Sequence, residues 1–215
     1  TDVSGYQRAT VSNRLEGAYT LEGDPKTYYA YTMAEYTLYT INQTGEADVY
    51  LDNSSSNGPV VVTASEGASQ EWFNKIKGSL RVGLLIDDKL KVVYAPVLPT
   101  GKGNDVSATE GWSCVNPDSL SVTMAPSYAH VYGGNMVDQN NKNWGATGSG
   151  DSYVKPTGDA QMLAHIGYNG TNFKVVIWME GTDSDCQNMS GLDVGEGSPT
   201  FDVTVSLVGI VPDSK

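Results

Sequence analysis

The stretch of sequence that decides the fold is LRVGLLIDDKLKVVYAP, from Leu80 to Pro96. Two apolar runs, residues 80–86 and 90–96, flank the pair Asp87-Asp88. Apolar runs of strand length on either side of a two-residue polar turn are typical of a tight β-hairpin. The stretch therefore predicts two antiparallel strands joined at Asp87-Asp88.

Strand signals recur on both sides of this hairpin. The Tyr/Thr-rich run 27–41 fits a half-buried strand better than a helix, and residues 173–179 form the most apolar run of the chain. Further strands are expected at residues 47–51, 59–63, 120–124 and 201–211. In the last of these the alternating pattern predicts an inward-facing set made of Phe201, Val203, Val205 and Leu207.

One helix is expected, within residues 65–76, with Ser69 as its capping residue and Gly78 just after its end. Residues 132–158 are rich in Gly and Asn, lack periodicity and predict a long loop with Trp144 in its middle. About eight strands without β–α alternation predict an all-β fold, a jelly-roll-like β-sandwich with one short helix and long loops.

The chain divides into two parts by pattern. Residues 14–215 are expected to form a single β-sandwich domain, and residues 1–13 are an N-terminal extension. This extension carries spaced apolar side chains, as an added strand would; they are Val3, Tyr6, Ala9 and Val11. The alternatives are a frayed terminus and a first strand that pairs within its own domain.

Charge and composition exclude several classes of protein. The chain has 13 Lys and Arg residues against 25 Asp and Glu residues, a formal net charge of −12. Nucleic acids and anionic membranes need a basic face, so neither is expected as a partner. The longest apolar runs are well short of the roughly 20 residues that a membrane helix needs, so we expect no membrane insertion in the mature chain. Its polar, Tyr/Thr/Asn-rich composition favours a secreted, extracellular or cell-surface protein.

Catalytic and metal-binding patterns are missing. The only histidines are His130 and His165, and neither a Gly-x-Ser-x-Gly elbow nor a His-Glu-x-x-His motif is present. We therefore expect no enzyme, no catalytic residues and no cofactor, and two hydrogen-bonded histidines. Asp183 and Asp185 are the candidates for a calcium site, but the rest of a ligand loop is missing, and a solvated turn is the favoured interpretation.

The two cysteines, Cys114 and Cys186, lie far apart and in no spacing typical of a metal site. We expect them to form a disulfide, with two buried free thiols as the alternative.

The segment VIWMEGTDSDCQN, residues 176–188, resembles the Ile-Trp-Leu-Glu-Gly-Thr-Asp-x-x-Cys segment of secreted Firmicute proteins that have SipW-type signal peptides. The hairpin at residues 80–96 and the strand at residues 201–207 resemble segments of the same proteins, which are similar to the TasA/camelysin group of biofilm matrix proteins. The resemblance implies a jelly-roll subunit of an extracellular fibre. Its partners would be copies of itself, joined head-to-tail by the N-terminal strand that each subunit adds to the next.

A second class of function is a secreted carbohydrate- or surface-binding jelly-roll module. The observation that favours it is the number of aromatic side chains, with Trp112 and Trp144 predicted in loops. A binding module has no need of a detachable N-terminal strand, so the N-terminus distinguishes the two functions.

Overall fold

A computed structural model describes residues 14–20, 23, 25, 27–98, 129–134, 136–138, 142–150, 152–156, 161–180, 183 and 200–212. They form thirteen strands and one helix: β1 (Arg14–Thr20), β2 (Thr27–Leu38), β3 (Glu46–Asp52), β4 (Val60–Ala64), α1 (Gln70–Ile76), β5 (Leu80–Ile86), β6 (Lys89–Ala95), β7 (Ala129–Tyr132), β8 (Gly145–Ser149), β9 (Ser152–Val154), β10 (Ala164–Gly167), β11 (Thr171–Met179), β12 (Phe201–Val205) and β13 (Leu207–Ile210). The prediction of an all-β sandwich with one short helix is confirmed.

The strands form two main sheets. A six-stranded sheet has the order β1-β2-β11-β5-β6-β7, and a five-stranded sheet has the order β10-β3-β8-β9, with β13 also paired to β3. The strands β12 and β4 form a separate two-stranded ribbon. Most pairs are antiparallel, while β3–β8 and β6–β7 are parallel. One buried cluster contains side chains of both main sheets, including Val49 and Leu51 from β3 and Val82 and Leu84 from β5, so the core lies between the sheets.

The predicted hairpin is present as β5 and β6. Asp87 and Asp88 have φ values of 46° and 64°, and positive φ at both central residues is the geometry of the type I′ turn that suits hairpins. All seven residues of β5 are buried because this strand lies between β11 and β6 and is covered on both faces. This double burial explains why its sequence is a continuous apolar run instead of an alternating one.

On the face of the six-stranded sheet that points away from the sandwich core, Trp178 occupies space left by Gly83. A Cβ atom placed on Gly83 would lie 2.9 Å from Cζ3 of the Trp178 ring. Trp178 forms a second buried cluster there with Leu85, Val93 and Val176. The glycine within β5 is thus a packing requirement of the buried indole.

The helix is confirmed, but it begins at Gln70, later than residue 65. Ser69 has an extended backbone, and its side-chain oxygen accepts a hydrogen bond from the Trp72 amide at 3.2 Å. This is the N-cap interaction expected for a serine, so the cap fixes the start of the helix. Phe73 and Ile76 are buried, and Leu80 of β5 belongs to the same cluster.

The prediction of a continuous loop over residues 132–158 is wrong, because this region contains β8 and β9. Both strands are short and contain few apolar residues, so no two-residue periodicity reveals them. Gly148 allows the two strands to approach closely, since a Cβ atom there would lie 2.1 Å from the carbonyl oxygen of Ser152.

The expected strand over residues 201–211 is divided at Ser206 into β12 and β13, which pair with β4 and β3 respectively. The Ser206 amide donates to the Pro59 carbonyl at 2.7 Å, and its carbonyl accepts from the Asp52 amide at 3.0 Å. The four residues predicted to face inward pack, partly buried, against the hydrophobic clusters. The strand predicted at residues 120–124 lies outside the described residues.

Candidate functional site

A buried ion pair joins β5 to the chain that follows β11. Arg81 donates through Nη2 to Oδ2 of Asp183 at 2.6 Å, and the two side chains are 0% and 1% exposed. The Nη1 atom of Arg81 donates to the carbonyls of Gly78 and Leu80, each at 2.7 Å. The guanidinium is thus bonded to backbone and carboxylate together, as a buried cation requires.

The segment that carries the family resemblance surrounds this pair. Trp178 is the register partner of Arg81, and its indole N–H donates to Oε2 of Glu180 at 3.4 Å. The Glu180 amide donates to the Ser79 carbonyl at 2.7 Å, and the Asp183 amide donates to the Glu180 carbonyl at 3.1 Å. These bonds hold the chain after β11 against the start of β5, so the motif has a structural role. Trp178 is 6% exposed, so its indole is buried in the cluster on the outer face of the six-stranded sheet.

The calcium candidates do not form a site in the described residues. Asp183 is fully buried and bonded to Arg81, so a solvated turn is wrong for this residue. Asp185 lies outside the described residues. Within the part of the chain that the structure describes, no group of three or more His, Cys, Asp or Glu side chains is arranged to hold a metal ion.

His130 on β7 is buried and titrates far below its ordinary range. The pKa of His130 is lowered from 6.5 to about 4: burial is the main cause, the charge of Arg81 adds to it, and the charge of Asp138 partly opposes it. The imidazole is therefore neutral at neutral pH, and its protonation in the fold would place a second cation near Arg81.

The depressed pKa of His130 predicts a loss of stability in acid. The unfolded chain takes up the proton near pH 6.5 and the folded chain only near pH 4, so the free energy of unfolding falls as the pH decreases through this interval. At about 1.4 kcal/mol per pKa unit, the loss amounts to about 3 kcal/mol. Urea unfolding at a series of pH values should show this loss in the native chain and a shallower one in His130→Gln.

His165 provides the matched control because its shift has the opposite sign. The hydrogen bond that Nδ1 of His165 donates to Oδ1 of Asp48, 2.8 Å long, is the main cause that raises the pKa of this exposed histidine. Any stability it contributes is present below its unfolded pKa and is lost as the pH rises through its folded pKa. His165→Gln should therefore lose as much of its free energy of unfolding in acid as the native chain does. If His130→Gln showed the same loss, the role given to His130 would be contradicted.

Trp144 is buried, so its predicted exposure in a loop is wrong. The side chain is 7% exposed and belongs to the core between the sheets. Its indole N–H donates to Oδ2 of Asp138 at 2.7 Å, while Oδ1 of Asp138 accepts from the Lys142 amide at 3.0 Å. Trp144 therefore offers no surface for stacking on a sugar, and Trp112 lies outside the described residues.

The edge of the six-stranded sheet is the feature that bears on assembly. β1 is the outermost strand of this sheet, and its pairing with β2 runs from Arg14 opposite Met33 to Thr20 opposite Thr27. β2 continues for five residues past Met33, to Leu38, and pairs with β11 along this stretch. Among the described residues, no strand pairs with β2 between Ala34 and Leu38 on the side of β1.

Besides Asp185, six of the predicted site residues lie outside the described residues. They are Val3, Tyr6, Ala9 and Val11 of the N-terminal extension and the cysteines Cys114 and Cys186. The pairing of Arg81 with Asp183 was not predicted, although an arginine within an apolar strand signals that a buried partner is needed.

The described residues define a protein of the all-β sandwich class with one short helix. Comparison of the chain with protein-family models, with curated proteins and with solved structures found no match to any of them. The described part of the chain contains no helix that has both the length and the apolar character needed to cross a membrane.

Proposed function

We propose that this protein is a secreted structural subunit of an extracellular filament or biofilm matrix fibre, assembled head-to-tail by donation of its N-terminal strand. The observation that carries the proposal is the position of β1 at the edge of the six-stranded sheet, with thirteen residues of chain before Arg14. An edge strand offers backbone N–H and C=O groups to which an extended segment adds by hydrogen bonding.

The register of β1 on β2 gives the proposed contact a definite geometry. The residue numbers of each pair sum to 47, as in Arg14 with Met33 and Thr20 with Thr27. The same register would bring Ser12 opposite Glu35 and Val11 opposite Tyr36. Tyr36 packs against the core between the sheets, so an apolar partner such as Val11 suits that position. The segment could come from the same chain or from a neighbouring copy, and donation from the neighbour is what builds a fibre.

The distribution of exposed apolar side chains supports a head-to-tail arrangement. Each large hydrophobic side chain that is exposed among the described residues lies at or beyond the end of a strand. Tyr39, Ile41, Tyr168 and Val211 lie toward the end where β2 stops and β3 begins, and Leu98, Val154 and Met179 lie toward the opposite end. Exposed apolar side chains at both ends fit a repeated contact between unlike surfaces, which yields an open filament.

The net charge of −12 also fits such an assembly. Like-charged subunits repel one another, so a stable filament requires a strong directed contact such as strand addition. Screening of the same charge by salt should let filaments associate side by side.

Negative-stain electron microscopy of the full chain, and of a variant that lacks residues 1–11, tests the proposal. The full chain should form filaments, and the shortened chain should remain dispersed but folded, as shown by an unchanged circular dichroism spectrum. Filaments that form unchanged without residues 1–11 would overturn strand donation, and a full chain that forms none would overturn the filament function.

A cross-link distinguishes a donated strand from one paired within its own chain. Ser12→Cys and Glu35→Cys are made in separate chains, mixed under assembly conditions and oxidised. Strand donation predicts a linked peptide pair that joins residues 12 and 35 of different chains. Asp202→Cys, at an exposed position on β12, replaces Glu35→Cys as the control and should give no such link. A 12–35 link that forms only when both cysteines are in one chain would contradict donation.

A further inference from the structure

The ribbon made of β4 and β12 leaves one edge of β12 unpaired among the described residues. β12 pairs with β4 alone, from Phe201 opposite Ala64 to Val205 opposite Val60. Such an edge offers a row of backbone N–H and C=O groups to any extended segment of matching length. A two-stranded ribbon is also only marginally stable by itself, and additional strands stabilise it.

Two hydrogen bonds show which residues of β12 face this edge. The Ser65 amide donates to the Thr200 carbonyl at 3.1 Å, and the Ser206 amide donates to the Pro59 carbonyl at 2.7 Å. The even-numbered residues therefore bond to β4, and the residues that alternate with them direct their N–H and C=O groups to the opposite side. The backbone groups at the free edge thus belong to the odd-numbered residues, which are Phe201, Val203 and Val205.

The sequence of β12 does little to prevent pairing with another strand. Natural edge strands are protected by lysine, by proline, by a bulge or by very short length. β12 has the five residues FDVTV, without lysine or proline, and its register with β4 is continuous. Phenylalanine, valine and threonine favour strands, and Asp202 is the only charged residue of β12.

We propose that β12 forms a second contact between copies of this chain, in which β12 of one copy pairs antiparallel with β12 of another. A pairing centred on Val203 brings Phe201 opposite Val205 and Asp202 opposite Thr204. All five residues then take part, and no two carboxylates lie opposite each other. A pairing centred on Asp202 would place this carboxylate opposite its own copy, which is destabilising. Charge therefore selects the register centred on Val203.

The proposed contact is isologous, because both copies use the same surface, and it closes as a pair. It joins two ribbons into one four-stranded sheet with the order β4-β12-β12-β4, and it needs no donated N-terminal strand. Its role in a fibre rests on the proposed function: a closed pair between subunits of two filaments would hold the filaments side by side. Screening of the net charge of −12 by salt should favour the pair.

A disulfide at the centre of the contact tests the pairing. The two copies of residue 203 would have Cα atoms about 5.5 Å apart, within the range of a disulfide. After brief oxidation of the full-length Val203→Cys chain, peptide mapping should find residue 203 of one chain linked to residue 203 of another. Thr63→Cys is the control, because Thr63 is exposed on β4, on the side of β12 away from the contact. It should give no 63–63 link.

Charge at position 204, which is exposed, tests the register. In the Val203→Cys chain, Thr204→Lys places a lysine opposite Asp202 twice in each pair and should raise the yield of the 203–203 link at least about threefold. Thr204→Asp places a carboxylate there and should lower the yield by a similar factor. Ser56→Lys and Ser56→Asp change the net charge equally at an exposed loop position and should change the yield far less. Circular dichroism confirms that each variant is folded.

The absence of a 203–203 link, or a yield that responds equally to charge at positions 204 and 56, would overturn the inference. The link is read from peptides, so it is measured whether or not filaments form. A 203–203 link in a full chain that forms no filaments would support this contact while the filament function fails. Filaments without the link would have the reverse meaning.

Discussion

Replacement of Arg81 by Met is expected to lower the free energy of unfolding by about 3–5 kcal/mol, the cost of leaving one member of a buried ion pair without its partner. In this variant the carboxylate of Asp183 would remain buried without the guanidinium 2.6 Å away. Methionine has a similar apolar stem, so the change removes chiefly the charge and its hydrogen bonds. Urea unfolding followed by tryptophan fluorescence measures the loss.

Double-mutant analysis tests whether the pair itself is the cause. Asp183→Leu combined with Arg81→Met removes both charges, and the double variant should be more stable than the sum of the two single losses predicts. Lys75→Ala breaks the exposed pair with Glu71 on α1 and should cost no more than about 0.5 kcal/mol. Strictly additive losses at Arg81 and Asp183 would show that the two residues stabilise the fold independently.

Replacement of Trp144 by Ala is expected to cost about 3–5 kcal/mol, because it leaves a cavity in the core and removes the indole donor from Asp138. A tryptophan exposed for ligand binding would cost far less, so the measurement separates a core residue from a sugar-stacking surface. Urea or thermal unfolding of the variant is the appropriate readout.

Two further variants divide this loss into its parts. Trp144→Phe keeps most of the ring but not the N–H group, and it should cost about 1.5–3 kcal/mol, the range for a hydrogen bond to a charged group. Val154→Ala changes a side chain that is 75% exposed and should stay within about 0.5 kcal/mol of the native chain. A stability unchanged in Trp144→Ala would contradict the burial of this residue.

Elements whose signals are local were predictable. The cap at Ser69 acts on an amide three residues away, and the Asp87-Asp88 turn joins adjacent strands. Sequence contains these interactions in short windows, so the helix and the hairpin follow from it. The strands β8 and β9 were not predictable, because they are short and contain few apolar residues, so no periodic pattern marks them.

The candidate site was predictable only in part. The apolar run around Trp178 predicted a strand, and Trp178 is buried in the structure. The partner of Arg81 could not be predicted, because Asp183 is 102 residues away in sequence and many other carboxylates of the chain were equally plausible partners. The prediction for Trp144 was wrong for a related reason. Its neighbours along the chain are polar and rich in glycine, as in a loop, but its burial comes from residues of both sheets that are distant in sequence.

The sequence by itself determined the all-β class, the central hairpin, the capped helix and the net charge of −12, since these depend on composition and on neighbours along the chain. Only the tertiary structure decided which charges are buried together, which strands pair in parallel, and that β1 lies at a sheet edge beside the continuing stretch of β2. Those outcomes depend on contacts between distant segments. Their free energies come from burial and desolvation in the assembled sandwich, and no short window of sequence specifies them.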